Sequence, residues 1–258
     1  MRPKRAAVWV ACVCVAQFVF GAADAAEHVI SLNLCTDQML VLLAPEKIAA
    51  LSPLSRDPSL SFVAPQAEQL PVVRASAEAV LRLHPDLIIA APYGAQTTLA
   101  LLQQEHVPVL RIALAQDFAG IRQMTRLLAS TLGVPQRGET LLIAMDALLE
   151  ALPHPGHGVR ALVWEPRGLT AGPGTLMDAV LHAAGMTNAS DGSRISLEAL
   201  LRHPPELLVV PTAAAYPSLA TSLLDHPALA SLPRRAIPPA LTICAGPFSA
   251  AAAAMLAR

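Results

Sequence analysis

The chain has little charge, few aromatic rings, few cysteines and no long apolar run beyond its first residues. Lys, Arg, Asp and Glu make up only 14% of the 258 residues, and the net charge is −1. No basic face can be built from that composition, which excludes a nucleic-acid partner. Hydrophobic residues reach 54%, yet after the N-terminus they fall in runs of five to eight, broken by Pro and charged residues. None approaches the ~18 needed to cross a bilayer, so the chain is not expected to be membrane-embedded. Histidine and carboxylates never occur at zinc-site spacing: His154 and His157 flank a Gly/Pro turn, while His84 and His203 end helical patterns. A protein-bound metal is therefore not expected.

What is present begins with a targeting pattern. Arg2, Lys4 and Arg5 precede an apolar stretch, Ala6–Ala22, and Ala23-Asp24-Ala25 has the small-residue form of a cleavage site. Residues 1–25 thus read as a signal peptide cut near Ala25, with export of the rest as a soluble protein. Removal of Arg2, Lys4, Arg5 and Asp24 leaves 15 basic and 18 acidic residues, a net −3. Two of the four cysteines leave as well, so Cys35 and Cys244 remain in an oxidising compartment.

One stretch occurs twice. Ser76–Ala90 reads SAEAVLRLHPDLIIA, and 120 positions later the chain reads SLEALLRHPPELLVV. Seven of the fifteen positions are identical, and the shared Ser, Glu, Arg and Pro carry the signal in a chain so rich in Ala and Leu. Each copy has one physical plan. Ser caps a two-turn helix, Glu occupies its first turn, Pro stops it, and an apolar run forms a buried strand. A helix-to-strand unit repeated at domain spacing implies two similar α/β lobes.

Around these copies strands and helices alternate with short loops, the pattern of parallel sheets covered by helices. In the first half, strands are expected at Val29–Leu34, Ile48–Leu51, Leu87–Ala91 and Val107–Ile112. Helices are expected at Gln38–Leu43, capped by Asp37, at Thr97–Glu105, and at Phe118–Leu132, capped by Asp117. In the second half, strands are expected at Ala161–Trp164 and Ala240–Ile243. Helices are expected at Leu176–Ala184, near Ser218–Leu224, and at Phe248–Ala257. The division is 26–135 for the first lobe, 136–153 for a linking helix and 154–258 for the second lobe.

These features resemble the class III periplasmic substrate-binding proteins, the family that delivers cobalamin, siderophore-bound iron or haem to ABC importers. The resemblance rests on VISLNLCTD, the two S-x-E-x-hydrophobic-L-x-x-x-P-[DE]-L units, the linking helix and LTAGPGTLMDAVLHAAGMTN. It implies two Rossmann-like lobes joined by one long helix, with a metal-chelate ligand held between them. It also implies a monomer that needs no cofactor of its own and docks on an importer permease dimer. In that family the first-turn carboxylates of the repeated helices face the permease, a role that falls here on Glu78 and Glu198.

In open parallel sheets ligands bind beyond the carboxyl ends of strands. That rule selects Cys35, Thr36 and Asp37 after the first strand and Arg56 after the second. It also selects Tyr93, Trp164, Arg167, Tyr216 and the segment from Cys244 to Phe248. Aromatic faces at strand ends suit a flat macrocycle or a catecholate, and Arg56 and Arg167 could clamp its negative charge. The turn Gly172–Thr175 does not have P-loop spacing and reads as a tight turn at the rim. Cys35 and Cys244, one per lobe, could be bridged, free or jointly bound to a soft metal. A bridge would lock a cleft that has to open, so reduced thiols lining the site are expected. No nucleophile elbow or carboxylate pair stands at the strand ends, so the chain is not expected to be an enzyme. A secreted enzyme or a ligand-sensing module on the same architecture is the alternative.

Overall fold

The structure is a computed structural model, described for residues 26–152, 158–192, 194–212 and 226–258. The expected helix near Ser218–Leu224, together with Tyr216, His154 and His157, lies outside the described residues.

The first lobe is a four-stranded parallel sheet in the order β2 (Ile48–Ala50), β1 (Val29–Ser31), β3 (Leu87–Ala90) and β4 (Val109–Arg111). β3 is buried along its whole length, as a strand covered on both faces must be. Helices α1 (Leu34–Leu43), α2 (Ala64–Ala67), α3 (Ala77–Leu81), α4 (Gln96–Gln104) and α5 (Phe118–Thr131) flank the sheet. β1 ends three residues earlier than expected, because Asn33 turns the chain. Its side chain accepts the Cys35 N–H and caps α1. Asp37 is therefore not the cap but lies inside the helix.

α6 (Pro135–Glu150) follows. It crosses to the second lobe, packing on α5 at one side and on α9 (Ser249–Leu256) at the other. Gly138 lets α5 and α6 approach closely, since a Cβ there would lie 2.6 Å from that of Ala129. Arg122–Asp146 and Arg126–Glu139 ion pairs tie the same two helices together.

The second lobe pairs β5 (Arg160–Glu165) in parallel with β7 (Thr187–Asn188) and β8 (Leu207–Pro211). β9 (Arg234–Ile237) is added beyond β8, and β6 (Leu169–Thr170) folds back antiparallel on β5. α7 (Leu176–Ala183) and α8 (Leu197–Arg202) complete the described layers, with α9. The strand expected at Ala240–Ile243 is instead a short 3-10 turn, Pro239–Leu241, running into a bend, and the true strand is the Arg-containing β9. As the last strand in the order it is an edge, where charged side chains reach solvent at little cost.

The repeat is preserved in atomic detail. Ser76 Oγ accepts the Ala79 N–H at 3.3 Å, and Ser196 Oγ accepts the Ala199 N–H at 3.2 Å. α3 then feeds β3, and α8 feeds β8. The chain is thus an α/β protein of two parallel-sheet lobes joined by one long helix. A continuous apolar cluster joins them: Leu34, Ile121 and Met145 pack in one body with Leu176, Leu241 and Phe248.

Candidate functional site

Since a short connection leads from each repeated helix into its strand, the N-termini of α3 and α8 point toward the carboxyl ends of β3 and β8. At that same end residues of the two lobes line an open cavity of about 220 Å³. The first lobe contributes Leu114, Ala115 and Gln116, from the loop after β4. Opposite them stand the start of α7, at Thr175 to Met177, and the loop after β9, at Thr242, Ile243 and Ala245. The lining is mostly apolar and carries no charged side chain.

The turn ahead of α7 keeps its donors for itself. Thr175 Oγ donates to the Gly172 carbonyl at 2.8 Å and accepts the Asp178 N–H, while Asp178 accepts the Gly174 N–H at 2.9 Å. Burial alone would raise the Asp178 carboxyl, but Asn188 and the Gly174 N–H hold it below the usual range. Gly172 lies against the backbone of Gly192, where a Cβ would come within 2.4 Å of the Gly192 Cα. This packs the rim of the second lobe tightly and ties the Gly174 and Asp178 N–H groups into the turn itself.

Cys35 and Cys244 are joined as a disulfide, with Cα atoms 5.1 Å apart. The expectation of reduced thiols is overturned, because the loop carrying Cys244 folds directly onto the N-terminus of α1. Beside the bridge, the rings of Phe62 and Phe248 stack at 4.9 Å and 16°. Gly246 makes this possible, since any Cβ there would strike the Phe248 ring. Phe248 is therefore packed between the lobes and presents little surface.

Several expected ligand contacts are buried in structural roles. Thr36 hydrogen-bonds Ser31 at 2.7 Å. Asp37, with no exposed surface, accepts the Ser52 N–H at 3.1 Å and the Ser52 hydroxyl. Burial pushes its carboxyl up to about 7, against hydrogen bonds from Ser31 and Ser52 that act to lower it. Next to it, Gln38 Oε1 accepts the Phe62 N–H at 2.7 Å. These α1 side chains thus fix the loops around Ser52 and Phe62 against the helix. Arg56 donates to the carbonyls of Ala67 and Leu70, at 3.3 and 2.6 Å, and so holds its own lobe together.

Trp164 is fully buried on the face of β5 away from the cavity. It packs with Leu200, Leu208 and Leu229, and its Nε1 donates to the Ile195 carbonyl at 3.4 Å. Strand alternation places Val163, not Trp164, in the interlobe cluster.

Two expected residues do stand free at strand ends. Tyr93 is 69% exposed on a loop braced by Gln96, whose Nε2 donates to the carbonyls of Pro92 and Gly94. Arg111, at the end of β4, in turn donates to Gln96 at 2.8 Å. Arg167 is exposed at the tip of the β5–β6 hairpin, in the left-handed region at φ 64°. Glu165 lies two residues before it, at the end of β5, its carboxyl pushed up by desolvation. Glu78 is exposed and pairs with Arg82 at 3.3 Å. The Glu198 carboxyl is held below its usual range by its own backbone N–H, Ser196 and Arg202.

The cavity residues Leu114, Gln116, Met177 and Thr242 were not among those expected. The strand-end rule would have found the first two if applied to the loop after β4. The others were hidden by the misplaced ninth strand and by the helical reading of Met177. Among the described residues no group of three or more His, Cys, Asp or Glu is placed to hold a metal ion, and no helix is long and apolar enough to cross a membrane.

Comparison with solved structures supports the same architecture. The periplasmic haem-binding protein RhuT of Roseiflexus sp. RS-1, in apo form, superposes with a TM-score of 0.71 at 24% identity, covering 90% of this chain and 98% of that one. A periplasmic haem-binding protein of Pseudomonas aeruginosa gives 0.68 at 27% identity, covering 90% and 91%. The vitamin B12-binding protein BtuF of Vibrio cholerae gives 0.66 at 20%, covering 90% and 96%. No curated protein sequence matches the chain. The family model for periplasmic binding proteins matches residues 29–234, and the chain belongs to that family.

Proposed function

We propose that this protein captures a metal-chelate ligand, a cobalamin-type corrinoid, ferric siderophore or haem, between its lobes and delivers it to an ABC importer. The observation that carries this reading is the cavity lined from both lobes at the carboxyl ends of their sheets. At about 220 Å³ it is smaller than the ~300–1,000 Å³ usual for small-molecule sites. The ligand therefore also rests on the rim, where Tyr93 offers an aromatic face and Arg167 a free guanidinium. The mature chain, from about residue 26, works as a monomer in the periplasm without catalysis or a resident cofactor. Its lobes divide near residues 135 and 154.

Support for a transporter partner comes from the repeat. Glu78 and Glu198 occupy equivalent first-turn positions on α3 and α8, at the cleft end of each lobe, so a two-lobed protein presents a pair of carboxylates to a two-fold permease. Charges at such a rim set encounter rate and register. Native mass spectrometry of the protein purified from its own host tests the reading. A bound mass matching a corrinoid, siderophore or haem is expected. A ligand-free protein that also fails to bind cobalamin, cobinamide, haem and ferric siderophores by calorimetry would overturn it.

A further inference from the structure

Among the described residues Tyr93 is the most exposed aromatic ring, at 69%, and it stacks on no other ring. Exposed loop tips are usually left loose, yet this one is clamped. Gln96, the first residue of α4, turns its carboxamide back over the loop. Nε2 donates to the Pro92 carbonyl at 2.9 Å and to the Gly94 carbonyl at 3.0 Å, one on each side of Tyr93. Oε1 accepts from Arg111 Nη1 at 2.8 Å. Both donors and the acceptor of the amide are engaged, and a carboxylate in its place would lose both donations. The backbone of the loop is equally defined. Gly94 stands at φ 74° and Ala95 at φ 49°, so the chain is left-handed at two successive residues although the second carries a Cβ. Arg111 anchors the far end of the clamp. It closes β4 opposite Ala90, the last residue of β3, and the loop it leads into supplies Leu114, Ala115 and Gln116 to the cavity. The Tyr93 loop is therefore tied to the strand whose loop lines the cavity.

We propose that Gln96 and Arg111 are positioning residues for Tyr93, holding its ring in one place beside the cavity so that a ligand meets a fixed aromatic face. The part that concerns a ligand rests on the proposed function; the part that concerns the loop does not. A ring already held loses little freedom when a flat ligand stacks on it, so the clamp adds affinity by sparing that ordering cost. Gln96 and Arg111 do this without touching the ligand.

The test separates the loop from the ligand. Tyr93 and Tyr216 are the only tyrosines of the chain, so incorporated 3-fluorotyrosine gives two fluorine resonances, and Tyr93→Phe assigns them. The transverse relaxation rate of the Tyr93 resonance is measured under a spin lock in the ligand-free mature chain, in Gln96→Leu and in Gln96→Glu. Thermal unfolding is run on each. Loss of the clamp frees the ring from the tumbling of the whole protein, so the rate should fall by about twofold in both variants with unfolding little changed. Arg111→Lys, which can still donate to Gln96, should keep most of the original rate. Affinity for haemin, cyanocobalamin and a ferric tris-catecholate is then measured by calorimetry. For whichever binds, Gln96→Leu should weaken binding by about fivefold when Tyr93 is present and by less than about twofold in the Tyr93→Ala background. An unchanged relaxation rate, or an equal loss of affinity in both backgrounds, would overturn the proposal. If none of the three chelates binds the unaltered protein, the proposed function fails, and the relaxation rates still decide the clamp.

Discussion

Asp86 and Glu206, 120 positions apart, hold the first strand of their respective lobes in the same way. Asp86 Oδ2 accepts the backbone N–H groups of Glu27 and His28 at 2.7 and 3.0 Å, and Glu206 Oε2 accepts that of Arg160 at 2.7 Å. In return the Asp86 N–H donates to the His28 carbonyl and the Glu206 N–H to that of Arg160. The acidic residue that follows Pro in each repeat is thus a clasp on a strand's start. Replacing either by Ala should cost about 1 kcal/mol, the discounted worth of an exposed charged hydrogen bond. The two losses should add, because the sites lie in separate lobes. Urea denaturation of the single and double variants checks this, with ligand affinity expected to be unchanged.

The buried carboxyl of Asp37 gives stability a pH dependence of unusual sign. Its native value of about 7 stands above the ordinary 3.8, so between about pH 4 and 7 the folded chain keeps a proton that the unfolded chain has released. Stability should fall as pH rises through that window, by up to ~1.4 kcal/mol per unit, and level off above it. Asp37→Asn should remove this slope. Denaturation midpoints of both proteins at pH 4.5, 6 and 7.5 measure it, and the comparison cancels carboxylates held low, such as Asp178 and Glu198.

Glu78 and Glu198 are predicted to govern delivery and not capture. The double Gln variant should bind ligand within about twofold of the original and lose most ligand-stimulated uptake in vesicles carrying the permease. Charge reversal to Arg should be worse, because repulsion replaces attraction. Undiminished uptake by the double Arg variant would leave both residues as supports for their own helices.

The two-lobed fold was legible in the sequence because capping and strand burial are local. Ser76 and Ser196 announce helices whose hydrogen bonds lie within three residues, and the buried strand Leu87–Ala90 needs only its own apolar run. The site was less legible because it depends on which loops meet. Cys35 and Cys244 are 209 residues apart, and nothing local states that their loops touch. Trp164 lies one residue before the end of its strand and faces the outer core, a choice fixed by one step of strand alternation. Asp37 looks like a helix cap because Asn33, the true one, sits inside what reads as a strand.

The central claim, that ligand sits between the lobes at the described cavity, is tested most directly by filling it. Ile243, 51% exposed on the wall beside Cys244, can be replaced by Trp with little disturbance to the core. Calorimetric titration of Ile243→Trp with the chelate that binds the unaltered protein is the measurement, with thermal unfolding run beside it. At least a tenfold loss of affinity with unchanged stability is predicted. Undiminished affinity in a normally folded Ile243→Trp protein would contradict the account and place the ligand elsewhere.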